Sequence, residues 1–125
     1  MVTIFNCEMR KARSKILKVT ILSGTTPIDL TSVDLTYEIK ESYDDDAPLV
    51  TKSSDVAGQI DKQTPYASGI CYIYITSGNT APLNRNQDYY HDMMMQSSGN
   101  FPIQESVNIF EGIVTVMPVV VLNDV

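Results

Sequence analysis

The chain has no tryptophan, one histidine (His91), two cysteines, and nine Lys and Arg against fifteen Asp and Glu in 125 residues. One histidine and two thiols are too few for a zinc site of the Cys/His kind. A net charge of −6 works against long-range attraction to nucleic acid or to an anionic membrane. The longest apolar run, VMPVVVL at residues 116–122, is interrupted by Pro118 and falls far short of the ~20 residues of a membrane helix. The six glycines stand apart, at 24, 58, 69, 78, 99 and 112, which excludes a P-loop and a dinucleotide fingerprint. A G-x-S-x-G elbow is missing as well. There is no N-x-[ST] sequon and no apolar run after an early basic region, so export is not expected, and Cys7 and Cys71 are expected as buried free thiols in a reducing compartment.

What the chain has is short-period alternation. Its hydrophobic share of 43% and charged share of 19% are those of a folded chain, and its length suits one domain, residues 1–125. In residues 33–40, VDLTYEIK, the apolar Val33, Leu35, Tyr37 and Ile39 alternate with Asp34, Thr36, Glu38 and Lys40, the pattern of a half-buried strand. Residues 14–22 alternate likewise, and 49–52 read as a short strand. Residues 69–76, GICYIYIT, are dense in β-branched and aromatic side chains, as in a strand covered on both faces. Residues 89–96 follow, then one long strand, or two separated near Gly112 and Pro118, within 105–121. Residues 53–68 read as polar turns, and one helical turn fits within 77–87. The best helical rival, residues 8–18, has no cap. Together these features predict an all-β fold, an antiparallel sandwich of about seven or eight strands.

Charge is unevenly placed. Arg10, Lys11, Arg13, Lys15 and Lys18 are five of the nine bases, whereas residues 29–61 carry nine acids against Lys40 and Lys52. A solvated strand face and a charged loop account for this pattern. Its functional reading is complementary docking, with the basic stretch of one molecule meeting the acidic loop (Glu41, Asp44, Asp45, Asp46) of another. The basic stretch lacks the interleaved aromatics of a nucleic-acid platform. The aspartate triplet lacks the spacing and distal Glu of a calcium loop.

Residues 88–96, DYYHDMMMQ, gather the unusual side chains. A triad would need His91 oriented by an acid, but on a strand Asp92 points to the opposite face. His91 then shares a face with Tyr89, Met93 and Met95, as a half-buried, hydrogen-bonded histidine. Met94 opposes them, and the methionines read as core filler rather than soft-metal ligands. Tyr72, Tyr74, Tyr89 and Tyr90 offer either a carbohydrate platform or tyrosines straddling core and rim. No catalytic, metal or cofactor residue is assigned.

Three stretches carry a resemblance: residues 16–42, residues 68–96 and residues 111–121. Asp29-Leu30-Thr31, Lys40, the Gly69-Ile70-x-Tyr72 start, Leu83 with Tyr89, Tyr90 and Asp92, and Gly112-x-Val114-x-Val116 resemble the immunoglobulin-like β-sandwich domains of tailed-bacteriophage virion proteins, notably the N-terminal domain of baseplate upper proteins. Gln87 and Asp88 stand where that pattern has glycine, and neither the RKARSK stretch nor the methionine run belongs to it. The resemblance implies a non-enzymatic structural protein, in tail or baseplate, neck, fibre attachment or capsid decoration. Such a protein would assemble in the bacterial cytoplasm as a homo-oligomer with other virion proteins, without cofactor, nucleic acid or membrane. The rival functions are a carbohydrate- or ligand-binding adhesion module and a hydrolase built on His91.

Overall fold

A computed structural model describes residues 4–44, 47–84, 86–97 and 106–117. In chain order the strands are β1 (Cys7–Arg10), β2 (Lys15–Thr20), β3 (Leu22–Ser23), β4 (Thr26–Pro27), β5 (Val33–Lys40), β6 (Val50–Ser53), β7 (Ile60–Lys62), β8 (Ile70–Ile75), β9 (Asp88–Ser97) and β10 (Ser106–Met117). A 3₁₀ turn, Tyr66–Ser68, precedes β8, and one helical turn, α1 (Ser77–Thr80), follows it. The fold is all-β. The expected strand over 33–40 is β5 to the residue, because strict alternation leaves one face wholly apolar.

Five strands form one sheet in the order β1-β10-β9-β5-β6, and three form a second in the order β2-β8-β7. β3 and β4 make a separate two-residue hairpin. Pairing is antiparallel except that β1 runs parallel to β10, a departure from the expected all-antiparallel order. The inward residues of both sheets enter a single core: Leu35, Tyr37, Ile39, Met93, Phe110 and Val114 from the larger, Leu17, Ile60, Cys71, Ile73 and Ile75 from the smaller. Each apolar side chain so buried contributes roughly 1.5–3 kcal/mol.

The remaining expectations met different outcomes. β8 buries Cys71, Ile73 and Ile75 but leaves Tyr72 and Tyr74 half-buried on its outer face, so it is covered on one side only. The polar stretch 53–68 contains β7, whose only apolar side chain is Ile60. The helical rival over 8–18 contains β1, a turn and the start of β2. The single helical turn is α1, closed by a capping box in which Thr76 and Asn79 exchange side chain-to-backbone hydrogen bonds. β10 is one strand with a bulge between Asn108 and Phe110, and anything beyond Met117 lies outside the described residues.

Candidate functional site

The basic stretch divides into two kinds of cation. The turn after β1 brings Lys11 over the segment that follows α1, where its Nζ donates to the carbonyls of Ala81 and Leu83. Arg13 N donates to Thr80 Oγ1 at 3.0 Å, and Thr80 Oγ1 donates to Arg13 O at 2.8 Å. Lys15 Nζ donates to Glu8 O at 2.7 Å. Lys11 and Lys15 therefore fasten their own chain, while Arg10, Arg13 and Lys18 present exposed side chains. Lys11→Met is expected to cost about 1–2 kcal/mol in urea unfolding, whereas Arg10→Met should stay within about 0.5 kcal/mol of the parent.

Glu41 and Asp44 are exposed in the β5–β6 connection; Asp45 and Asp46 lie outside the described residues. Tyr43, in the same connection, packs edge-on against Tyr90 with centroids 4.8 Å apart. Among the described residues no ion pair joins the basic stretch to the acidic connection. Arg10 sits on β1, one margin of the five-stranded sheet, and the acidic connection joins β5 to β6, with its Tyr43 over Tyr90 of β9.

Between the margins of the five-stranded sheet lies a feature that the sequence did not disclose. Asp92 on β9 is the register partner of Glu38 on β5 and of Glu111 on β10, so three carboxylates stand side by side on the outer face. Like charges placed opposite one another are unfavourable. Here they are moderated by the Lys40–Glu38 ion pair at 3.5 Å and by the Tyr90 hydroxyl, which donates to Glu111 Oε2. Burial raises the Asp92 carboxyl above its ordinary range; Lys40 opposes the rise, and Glu38 and Glu111 add to it. Among the described residues no cluster of three or more His, Cys, Asp and Glu has metal-holding geometry.

Facing the core, His91 is fully buried rather than half-buried. Its Nδ1 lies 2.8 Å from the Tyr37 hydroxyl and its Nε2 2.6 Å from the Phe5 carbonyl. Phe5 stacks on the ring at 5.7 Å and Phe110 tilts against it at 5.1 Å. Both nitrogens are occupied by neighbours of the same chain, and Asp92 points the other way. Met93 is buried, Met95 packs on the core and Met94 is exposed, as alternation predicts. Cys7 and Cys71 are free, and burial pushes the Cys71 thiol up to about 12, far from the thiolate that reactivity needs.

The four tyrosines do not form one platform. Tyr72 and Tyr74, with rings 6.4 Å apart, belong to β8 in the smaller sheet. Tyr89 and Tyr90 belong to β9 in the larger sheet and face opposite ways: Tyr89 is buried, with its hydroxyl accepting from Asn84 N at 2.8 Å. No family model matches this chain, and a search of curated proteins finds no match.

Proposed function

We propose that this chain is a non-enzymatic structural subunit of a tailed-bacteriophage virion, an immunoglobulin-like sandwich that works by docking to copies of itself and to neighbouring virion proteins. The strand order supports the immunoglobulin-like part. Taking β2, β5, β6, β7, β8, β9 and β10 as B, C, C′, D, E, F and G gives a GFCC′ sheet over a BED sheet, as in variable-type domains. The Tyr89 hydroxyl bonded to the backbone five residues upstream is like the tyrosine corner at the start of strand F. The inter-sheet disulfide of antibody domains has no counterpart. Two residues past the corner tyrosine, His91 takes the place of the second cysteine and binds Tyr37 on β5.

The observation that carries the docking part is the separation of two exposed charged stretches: Arg10 on β1, an edge strand of the five-stranded sheet, with Arg13 in the turn after it, and Glu41 and Asp44 in the β5–β6 connection. A module that carries a basic stretch and an acidic connection at different places can associate with its own copies, and such heterologous contacts close into rings or extend as lattices. Particles purified from the phage that encodes the chain should contain it in multiple copies by mass spectrometry and electron microscopy. In reconstitution, Arg10→Glu with Arg13→Glu should slow assembly and weaken its salt dependence. A chain that is absent from purified particles overturns this reading.

A further inference from the structure

β1 and β2 belong to different sheets, and where the chain passes from one to the other, at residues 11–14, lies a hollow of about 230 Å³. Its lining includes Glu8, Arg10, Arg13, Ser14 and Lys15. Local structure gathers these cations. Met9 is buried, so its neighbours Glu8 and Arg10 both point outward from β1. Arg13 N donates to Arg10 O at 3.2 Å, closing a turn with one arginine at each end. Lys15 opens β2 and reaches back with its Nζ to Glu8 O at 2.7 Å, a bond that uses one of its three N–H donors. The turn itself is pinned. Lys11 Nζ donates to the carbonyls of Ala81 and Leu83, and Arg13 exchanges two backbone hydrogen bonds with the Thr80 hydroxyl. These ties hold Ala12 at φ 59°, a region unfavourable for a residue with a Cβ. Among the described residues no carboxylate pairs with Arg10, Arg13 or Lys15, although the chain has fifteen acids against nine bases. Glu8 is the one carboxylate of the lining, so three cations stand against one anion.

We propose that this hollow binds a tetrahedral dianion, phosphate as the free ion or as a terminal phosphoryl group. An excess of two positive charges matches a dianion and is only half met by a single carboxylate. Donor geometry makes the same choice. A carboxylate takes one guanidinium fork in its own plane, whereas tetrahedral oxygens accept from several sides at once. Arg10 and Arg13 supply two forks, Lys15 an ammonium and Ser14 a hydroxyl. A phosphodiester backbone carries only one charge at each phosphate, and a net charge of −6 repels a strand of them. The site is complete in one copy of the chain, so it goes beyond the docking reading and does not depend on it.

Nitrogen-15 spectra of the full chain test this, with inorganic phosphate added at constant ionic strength near pH ~8, where phosphate is a dianion. Amides within residues 8–15 should shift saturably, and those of β6 and β7 should stay still. Acetate should bind more weakly. Glycerol phosphate separates the two sources: shifts at the same amides open the site to a phosphoryl group on a larger molecule, and their absence restricts it to the free ion. Arg10→Gln and Arg13→Gln should each weaken phosphate binding about tenfold or more, the loss of one hydrogen bond to a charged group. Both side chains are exposed, so the variants should keep the parental circular dichroism spectrum. Glu8→Gln removes the like charge and should tighten binding. Lys18→Gln removes an exposed cation outside the hollow and should change binding by less than about twofold. No saturable shift in residues 8–15, acetate bound as tightly as phosphate, or Lys18→Gln as damaging as Arg10→Gln each overturn the proposal. Phosphate bound by a chain that is absent from particles removes the virion reading alone.

Discussion

Gly112→Ala is expected to lower the unfolding free energy by about 2–6 kcal/mol and to release residues 4–6 from β10. Gly112 lies opposite His91 in the sheet and beneath the segment that leads into β1. A Cβ added there would sit 2.0 Å from the Phe5 carbonyl oxygen and 2.6 Å from its carbon. Those are backbone atoms with no rotamer to retreat into, so the segment has to lift. Lifting it removes Phe5 N–Glu111 O at 2.9 Å, Ile113 N–Asn6 Oδ1 at 2.9 Å and His91 Nε2–Phe5 O at 2.6 Å. The first two bonds contribute about 0.5–1.5 kcal/mol each; the third leaves a buried imidazole N–H unsatisfied, about 1–3 kcal/mol more. Urea unfolding gives the magnitude, and faster hydrogen exchange at the Phe5 and Ile113 amides locates it. Gly78→Ala is the control: the added Cβ meets only Thr76 Oγ1 at 3.7 Å, and in the helical turn α1 it should be neutral or stabilise by up to about 1 kcal/mol. Equal stability for Gly112→Ala and the parent would refute the close crossing.

How much of this was legible beforehand depends on whether a feature is local. β5 was legible because eight residues alternate without a fault, whereas α1 was legible only as room for one helical turn within 77–87. The separation of His91 from Asp92, and of Met94 from Met93 and Met95, follows from the two-residue period of any strand. β1 escaped because CEMR buries one residue, Met9, and is a strand only by virtue of β10, more than a hundred residues away. The acid row escaped for a related reason. Alternation gives the face on which Glu38, Asp92 and Glu111 lie, but pairing register, a long-range property, makes them neighbours. Lys11 looked like a free cation because its two carbonyl partners lie 70 and 72 residues downstream. Gly112 did leave a signal. A lone glycine inside a strand marks close backbone approach, and at Gly112 what approaches is the segment before β1.

The buried imidazole gives the second large expected effect, a loss of stability in mild acid. A carbonyl only accepts, so His91 Nε2 carries the proton toward Phe5, and the bare Nδ1 accepts from the Tyr37 hydroxyl. A second proton on Nδ1 would face the hydroxyl that now donates to it and would place a charge among Phe5, Tyr37 and Phe110. Burial accordingly holds the ring below its ordinary 6.5, with the Phe5 carbonyl opposing the shift. The native state therefore binds fewer protons at this site than the unfolded chain. The stability it contributes is complete above pH 6.5 and is lost as pH falls through the lowered native value, at up to about 1.4 kcal/mol per pH unit. Asp92 acts in the opposite sense: its raised native value makes its contribution fullest below 3.8 and loses it as pH rises. Both series therefore belong in an Asp92→Asn background. There, His91→Gln, which can still donate to Phe5 and accept from Tyr37 but does not titrate, should flatten the fall in stability between roughly pH 7 and 5. Nitrogen-15 spectra at neutral pH should show a proton on Nε2 and none on Nδ1. Parallel pH profiles for the two proteins would mean that the acid sensitivity resides in another group.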